Sequence, residues 1–340
     1  MPAGAEFSFF TTAQDLPASW DRACGDNPFL RRTTLMILEQ VNPTGQGYYL
    51  LQSSAENTPS IFMTYQHRLD IFTYGKGSLR IPVTILGIPC SVSWPGLQIA
   101  EQDIGTFQEA VEKIPGALLI LNGKEPSLPG SSCYTQGLTL PNCELDINGL
   151  DFPSYLGEMR SHYRYKLKAS MKRFQEVECR VLADNQEFDS RLYNLYEQVY
   201  ERSDFKLEKL PLSFFQQFPA KITVFSTGDT LLAFSQTMFS DLGGKKEQIF
   251  LFGGLEYSLN PQFHTYINML LHVVRSGMED GAHRVNLGQT AEDIKTRLGC
   301  SLQRRYLYAR HANPLIHFLV RRGIGLLSYS APLTQRHVFR

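Results

Sequence analysis

Apolar residues along this chain recur with two spacings, every second residue or every third and fourth, and the switches between them mark out the elements. Residues 7–10 read as a strand, 16–24 as a helix entered through Asp15, and Arg32–Val41 as a second amphipathic helix. Four apolar strands follow at 47–51, 61–66, 68–74 and 83–88, with turns at 56–59 and 75–77, and Pro82 and Pro89 bracket the last strand. Residues 107–114 form a short helix, 117–121 a buried strand, and the Pro/Gly/Ser-rich stretch 125–132 a loop. Tyr48, Tyr49, Tyr65 and Tyr74 fall on these strands, where aromatic rings either build core or line a pocket.

The pattern changes after residues 146–151, which mark the expected boundary between halves 1–150 and 151–340. One uninterrupted helix is predicted over 152–176, with Leu156, Met159, Tyr163, Leu167, Met171 and Phe174 as its buried stripe. Arg160, Arg164, Lys168 and Lys172 lie four apart beside it, Lys166 and Arg173 fall on the far face, and no acidic residue lies between Glu158 and Glu176. Such a stripe is a solvated face or a track for an acidic ligand. A strand at 179–184, a helix at 188–201 and a short helix at 212–218 come next. Strands 221–226 and 231–239 make a hairpin, 248–254 is a third strand, and a loop at 256–262 leads to a helix over 264–276 that stops at Gly277. A last strand is predicted at 302–309.

Composition narrows the class. With 43% hydrophobic and 12% aromatic residues in 340, the chain has material for two globular cores. Its 33 Lys+Arg balance 33 Asp+Glu, yet residues 1–150 hold 8 and 14 of these, leaving 25 and 19 for the rest. A basic C-terminal half suits an anionic ligand such as a nucleotide or coenzyme A. The six cysteines are scattered, with no CxxC pair and no histidine cluster at ligand spacing, so no metal is expected. No basic-then-apolar leader and no run of about eighteen apolar residues occurs, so the expectation is a cytoplasmic protein with reduced thiols.

The chemistry concentrates in residues 283–299, HRVNLGQTAEDIKTRLG. Val285 and Leu287 alternate with Arg284 and Asn286 as a strand, and Gly288 lets the main chain pass close to a neighbour or ligand. Thr290 with Asp293 fits a capping box, predicting a helix from the Thr290 cap through Ile294 and Leu298 to Gly299. A plain strand-to-helix turn accounts for all of this.

Gly-Gln-Thr, then a helix carrying Lys295, then Arg-Leu-Gly-Cys also resembles the signature segment of a bacterial family of GNAT-like acyltransferases. That family is related to the Fem-type aminoacyl transferases of cell-wall synthesis and to acetyltransferases associated with cellulose export. The resemblance covers residues from Phe152 to Cys300 well and the N-terminal half loosely. It implies an α/β (α+β) chain of tandem GNAT-like folds, each a mixed, mostly antiparallel sheet flanked by helices, with the acyltransferase domain in 151–340. It also implies transfer of an acetyl or aminoacyl group, without a covalent enzyme intermediate, to an amine or hydroxyl on a small-molecule, glycan or peptide acceptor of cell-envelope or polysaccharide metabolism.

In such folds the donor lies where two parallel strands part, here 248–254 and 284–288. Phe252, Gly253, Gly254, Asn286 and Gly288 then become candidates for holding acyl-CoA, and Gln289, Thr290 and Lys295 for binding substrate. Their plain alternatives are turn and cap bonding, and for Lys295 a solvated pairing with Glu292. Glu256 or His264 is placed to take the acceptor's proton and Tyr257 to give one to the leaving group. The usual GNAT phosphate loop, Arg/Gln-x-x-Gly-x-Gly/Ala, is absent between Glu256 and His264. The donor therefore stays open between acyl-CoA and the aminoacyl-tRNA of Fem-type enzymes, and a non-catalytic GNAT-derived binding module using the basic helix stays open beside both.

Overall fold

The computed structural model describes residues 6–52, 58–72, 77–124 and 133–340. Tyr74, the loop at 125–132 and parts of the turns expected at 56–59 and 75–77 lie outside the described residues. The chain divides into two compact units, the first made of residues 1–140, 205–210 and 304–331, the second of 141–204, 211–303 and 332–340.

In chain order come β1 (Ser8–Phe10), α1 (Ser19–Ala23), α2 (Arg32–Val41), β2 (Gly47–Leu51), β3 (Ser60–Asp70), β4 (Arg80–Leu86), β5 (Leu97–Gln98), α3 (Ile104–Glu112), β6 (Ala117–Gly123) and β7 (Thr135–Asp146). Then follow α4 (Phe152–Glu158), α5 (Ser161–Arg173), β8 (Glu178–Val181), α6 (Ser190–Arg202), α7 (Leu212–Gln217), β9 (Lys221–Thr227), β10 (Thr230–Leu242) and β11 (Lys245–Leu255). The last elements are α8 (Asn260–Phe263), α9 (Thr265–Glu279), β12 (Arg284–Asn286), α10 (Glu292–Arg297), β13 (Ser301–His311) and α11 (Pro314–Gly323).

Both units are built alike. In the first, β1 to β4 pair antiparallel in sequence, β4 pairs parallel with β6 after the crossover helix α3, and β6 pairs antiparallel with β13. In the second, β8, β9, β10 and β11 run antiparallel, β11 pairs parallel with β12 after the crossover helix α9, and β12 pairs antiparallel with β7. A parallel pair needs a crossover long enough to return the chain to the same end of the sheet, and a helix supplies it. Each unit is thus a mixed, mostly antiparallel sheet flanked by helices, the α/β class expected.

Burial follows the periodicity. Met269, Leu270, Val273 and Val274 of α9 pack on Cys143, Leu145, Val285 and Leu287, with Leu156, Met159 and Leu167 of the predicted stripe closing the same core. On the other sheet face, Phe188, Tyr196, Phe214 and Phe215 surround Phe234 and Phe252 in edge-on or stacked contacts.

Four expectations need correction. The helix over 152–176 is two helices, α4 and α5, with Met159 and Arg160 extended between them. The break is tertiary: Met159 forms a β-bridge with Phe339, Arg160 N donates to the Val338 carbonyl (2.9 Å) and Arg340 N to that of Glu158 (3.0 Å). The strands at 61–66 and 68–74 are one strand, β3, since Thr64 to Asp70 all pair with β4 whatever their polarity. The loop at 256–262 contains the start of α8. Gly277 does not stop α9, which runs two residues further; a Cβ there would collide with the Gln248 amide and come within 2.8 Å of Val285 Cγ2, so this glycine lets helix and sheet approach.

Candidate active site

β11 and β12 stay paired for three residues, Glu247 with Arg284, Gln248 with Val285 and Ile249 with Asn286, and then separate. β11 continues to Leu255 along β10, with a bulge at Leu251 that leaves Gln236 opposite Phe252 and Thr237 opposite Phe250. The chain after β12 turns the other way: Leu287 N donates to the Cys143 carbonyl (2.9 Å) and Cys143 N to that of Gly288 (3.0 Å). Past Asn286 the chain pairs with β7, and β11 from Phe250 onward pairs with β10 alone. Bulges twist a strand away from its neighbour, which widens the parting.

The glycine pair on this edge has a packing reason. A Cβ on Gly254 would collide with the Phe234 ring and lie 2.7 Å from Leu195 Cβ, and one on Gly253 would lie 3.1 Å from Met269 Cε. Phe252 turns its ring into the aromatic layer. Of these three expected donor contacts, only the main chain is on offer. Asn286, 3% exposed, accepts from Gly288 N through Oδ1 (2.9 Å), which shapes the turn out of β12.

Residues 288–291 are tightly wound, with Gly288 (φ 71°), Thr290 (φ 63°) and Ala291 (φ 51°) all left-handed. Left-handed geometry in a β-branched threonine is costly and is sustained by the surrounding bonds. The expected capping box does not form: Thr290 lies outside α10, whose N-cap is Ala291 with no side-chain bond. Asp293 instead pairs with Arg297 (2.6 Å) and Arg336 (2.5 Å), and these cations hold its carboxyl below the ordinary value. Tyr155 Oη fixes the far end of α10 by donating to the Leu298 carbonyl (2.6 Å).

Lys295 is not solvated. It is 1% exposed, and its Nζ donates to the Gln289 carbonyl at 2.6 Å. Burial lowers its affinity for the proton, while the Cys143 and Cys300 thiols and Glu292 act in the opposite sense. This bond ties the left-handed loop to its helix and brings Lys295 to Gln289.

Other candidates come from the end of β11 and the start of α9. Tyr257 lies under the Arg202 guanidinium (4.4 Å to the ring centroid), and half-burial keeps its phenol protonated beyond the usual range. Tyr266, partly buried, is likewise raised by desolvation, with Tyr257, Cys143 and Glu292 as its electrostatic neighbours, and Cys143 and Glu292 act on Lys295 as well. The Cys143 thiol is pushed up to about 11 by burial, which keeps it protonated. Cys143 escaped the sequence reading because β7 did, its pattern interrupted by Gly137 and Pro141, while Tyr266 fell inside the helix predicted over 264–276 without a signal that set it apart.

Glu256 and His264 bond elsewhere. Glu256 accepts from Gln198 Nε2 (2.9 Å) and Ser258 Oγ (2.7 Å), bonds that hold its carboxyl below the ordinary value. His264, left-handed at φ 49°, places Nδ1 2.7 Å from Ser170 Oγ of α5, and desolvation with nearby Arg173 favours its neutral form. Of the basic stripe, Arg164 donates to the carbonyls of Gly157 (2.9 Å) and Met159 (3.1 Å), while Lys168 and Lys172 are exposed.

In the first unit the equivalent position is filled. β4 and β6 are parallel from Thr84 and Leu118 to Leu86 and Ile120, but residues 91–96 lie across the end. A Cβ on Gly96 would be 2.6 Å from the Gly87 main chain, Asn122 Nδ2 donates to the Val92 carbonyl (2.8 Å), and Met63 N to that of Gly96 (2.9 Å).

No protein-family model and no curated protein sequence matches this chain. Its fold has counterparts among solved structures. FemX is similar over 89% of this chain and 93% of its own, with a TM-score of 0.52 and 10% identity. The C-terminal domain of a protein assigned as a lysylphosphatidylglycerol synthetase, from Agrobacterium fabrum, is similar over 90% and 94%, with a TM-score of 0.51 and 12% identity. A conserved protein of unknown function from Bacteroides thetaiotaomicron is similar over 89% and 99%, at 0.52 and 7%. At these identities the likeness is one of fold alone.

Proposed function

We propose that this protein is an acyltransferase, moving an acetyl or aminoacyl group from a carrier to an amine or hydroxyl in the crevice between β11 and β12. The observation that carries the reading is the parting of the two strands after Ile249 and Asn286, bordered by a buried, hydrogen-bonded lysine. A free strand edge offers main-chain N–H groups to a carbonyl on which charge develops, the dipole that acyl transfer requires. Tyr257, kept protonated, gives a proton to the departing group; Glu256 or His264 takes one from the acceptor. Lys295, Gln289 and Thr290 hold the carrier or acceptor, with Phe252 to Gly254, Asn286 and Gly288 contributing main chain.

The donor divides the reading in two. Acyl-CoA suits the strand edge, whereas α8 stands where a glycine-rich phosphate loop would be, and the exposed Lys168 and Lys172 suit an aminoacyl-tRNA. The resemblance to Fem-type enzymes favours the second and a role in cell-envelope metabolism.

Thermal stabilisation tests both. A donor at about a hundred times its Kd adds roughly 2.7 kcal/mol to stability. An acyl-CoA panel and charged tRNA are compared with uncharged tRNA; a shift with a charged donor supports the enzyme, and equal shifts with charged and uncharged RNA and none with acyl-CoA make the chain a binding module.

A further inference from the structure

The helix α11 closes the first unit and belongs to no part of the proposed chemistry. It is well begun, with Asn313 Oδ1 accepting from Leu315 N (2.9 Å) and Pro314 at the first turn. Its two sides differ. Val320, and beyond the helix Ile324 and Leu327, pack on the core of Tyr65, Val83, Ile85 and Leu119. Leu315, Phe318 and Leu319 recur at three- and four-residue steps on the other side, 80%, 53% and 65% exposed, and Leu326 just beyond is 43% exposed. Half of the large exposed hydrophobic side chains among the described residues fall in residues 315–326, so this is a patch, unlike the single apolar residues any surface carries.

The charge along this end of the chain has one sign. From residue 294 to 340 the chain holds nine Lys and Arg and neither Asp nor Glu. Arg321 and Arg322 are exposed at the end of α11, with the Arg322 guanidinium 4.9 Å from the Phe318 ring. Arg310 and His311 lie near enough to act with Arg321 on His317, against its protonation. An apolar strip flanked by arginines, on a helix rooted by its other side, matches a helix lying in the headgroup layer of an anionic bilayer.

We propose that α11 is a membrane-surface helix, which seats Leu315, Phe318 and Leu319 among acyl chains while Arg321 and Arg322 meet anionic headgroups. No described helix is long and apolar enough to cross a membrane, and none is needed here. A nucleic acid would use the arginines and leave the leucines in water. A second copy docked by the same face would bring two Arg321–Arg322 pairs together with no carboxylate on α11 between them.

The experiment is vesicle co-sedimentation of the full chain, with phosphatidylcholine alone against phosphatidylcholine doped with phosphatidylserine. The protein sediments with the anionic vesicles, and less so in high salt. Leu315→Ser/Phe318→Ser/Leu319→Ser and, separately, Arg321→Gln/Arg322→Gln each lower that binding by about tenfold or more. The altered side chains are exposed, so the melting temperature is unmoved; Leu315→Ser alone, with a smaller loss, serves if the triple variant misfolds. The proposal is overturned if wild-type protein ignores anionic vesicles, if the serine variant binds as well as wild type, or if the face instead mediates a dimer that the triple variant abolishes.

Discussion

The ammonium of the buried Lys295 and the carbonyl oxygen of Gln289 are 2.6 Å apart, a part-buried bond that joins the first turn of α10 to the left-handed loop before it. A buried cation is costly unless its bonds repay desolvation, and here one visible bond is made to a carbonyl six residues away. The ammonium is thus set at the crevice with donor capacity in hand.

Lys295→Met keeps the side-chain volume and removes the charge. Loss of a charge-assisted bond of about 1.5–3 kcal/mol lowers turnover roughly ten- to a hundred-fold. Stability changes little, because the Gln289 carbonyl left unpaired is offset by removal of a buried charge. Steady-state rates with chemical denaturation separate the two; unchanged turnover would reduce Lys295 to a clamp on its loop.

Tyr257→Phe leaves the ring beneath Arg202 and deletes the proton. The expected loss is about a hundred-fold or more in kcat, with the melting curve in place. Glu256 has a carboxyl held below the ordinary value by Gln198 and Ser258. If it is the base, the acid limb of kcat/KM lies below the usual carboxylate range, rates are flat through neutral pH, and Glu256→Gln removes that limb. A limb near the ordinary histidine value that vanishes in His264→Asn would transfer the role to His264.

Gly277→Ala sets two effects against each other. Helix propensity alone favours alanine by about 1 kcal/mol. A Cβ would press on Gln248 and on the branched Val285, which cannot rotate away, at about 1–3 kcal/mol. Net destabilisation in urea is the expected result, and a more stable variant would show that α9 can lift off the sheet.

Glu208 supplies the pH test. Buried, it accepts from Tyr65 Oη (2.5 Å) and from Ser91, yet desolvation raises its carboxyl above the ordinary value. The folded state then holds this proton more tightly than the unfolded chain does. Its contribution is greatest below the unfolded value and is lost as pH rises through the folded one. Relative to Glu208→Gln, wild-type protein therefore gains melting temperature as pH falls from neutral towards about 4.5. Parallel pH profiles of the two proteins would rule this out.

Much of the site was readable along the chain because its parts are local. Asn286, Gly288, Gln289 and Lys295, four of the candidate residues, sit within ten residues on a strand, a turn and a helix. Cys143 was hidden: it neighbours this segment because β7 pairs with β12, and nothing local in a stretch broken by Gly137 and Pro141 signals that partner. Thr290 was misread because a capping box is read from spacing, whereas left-handed backbone at Thr290 and Ala291 moves the N-cap of α10 to Ala291.

By itself the sequence determined the two-unit scale of the chain, the order of most strands and helices, and the stripe from Leu156 to Phe174, since side-chain period and turn chemistry act over a few residues. Tertiary structure alone decided the break at Met159, the seating of residues 91–96 against Gly87 and Asn122, and the end of β11–β12 pairing at Asn286. These depend on main-chain bonds between distant segments, and a peptide N–H pairs alike in every residue but proline, so side-chain identity carries little trace of them.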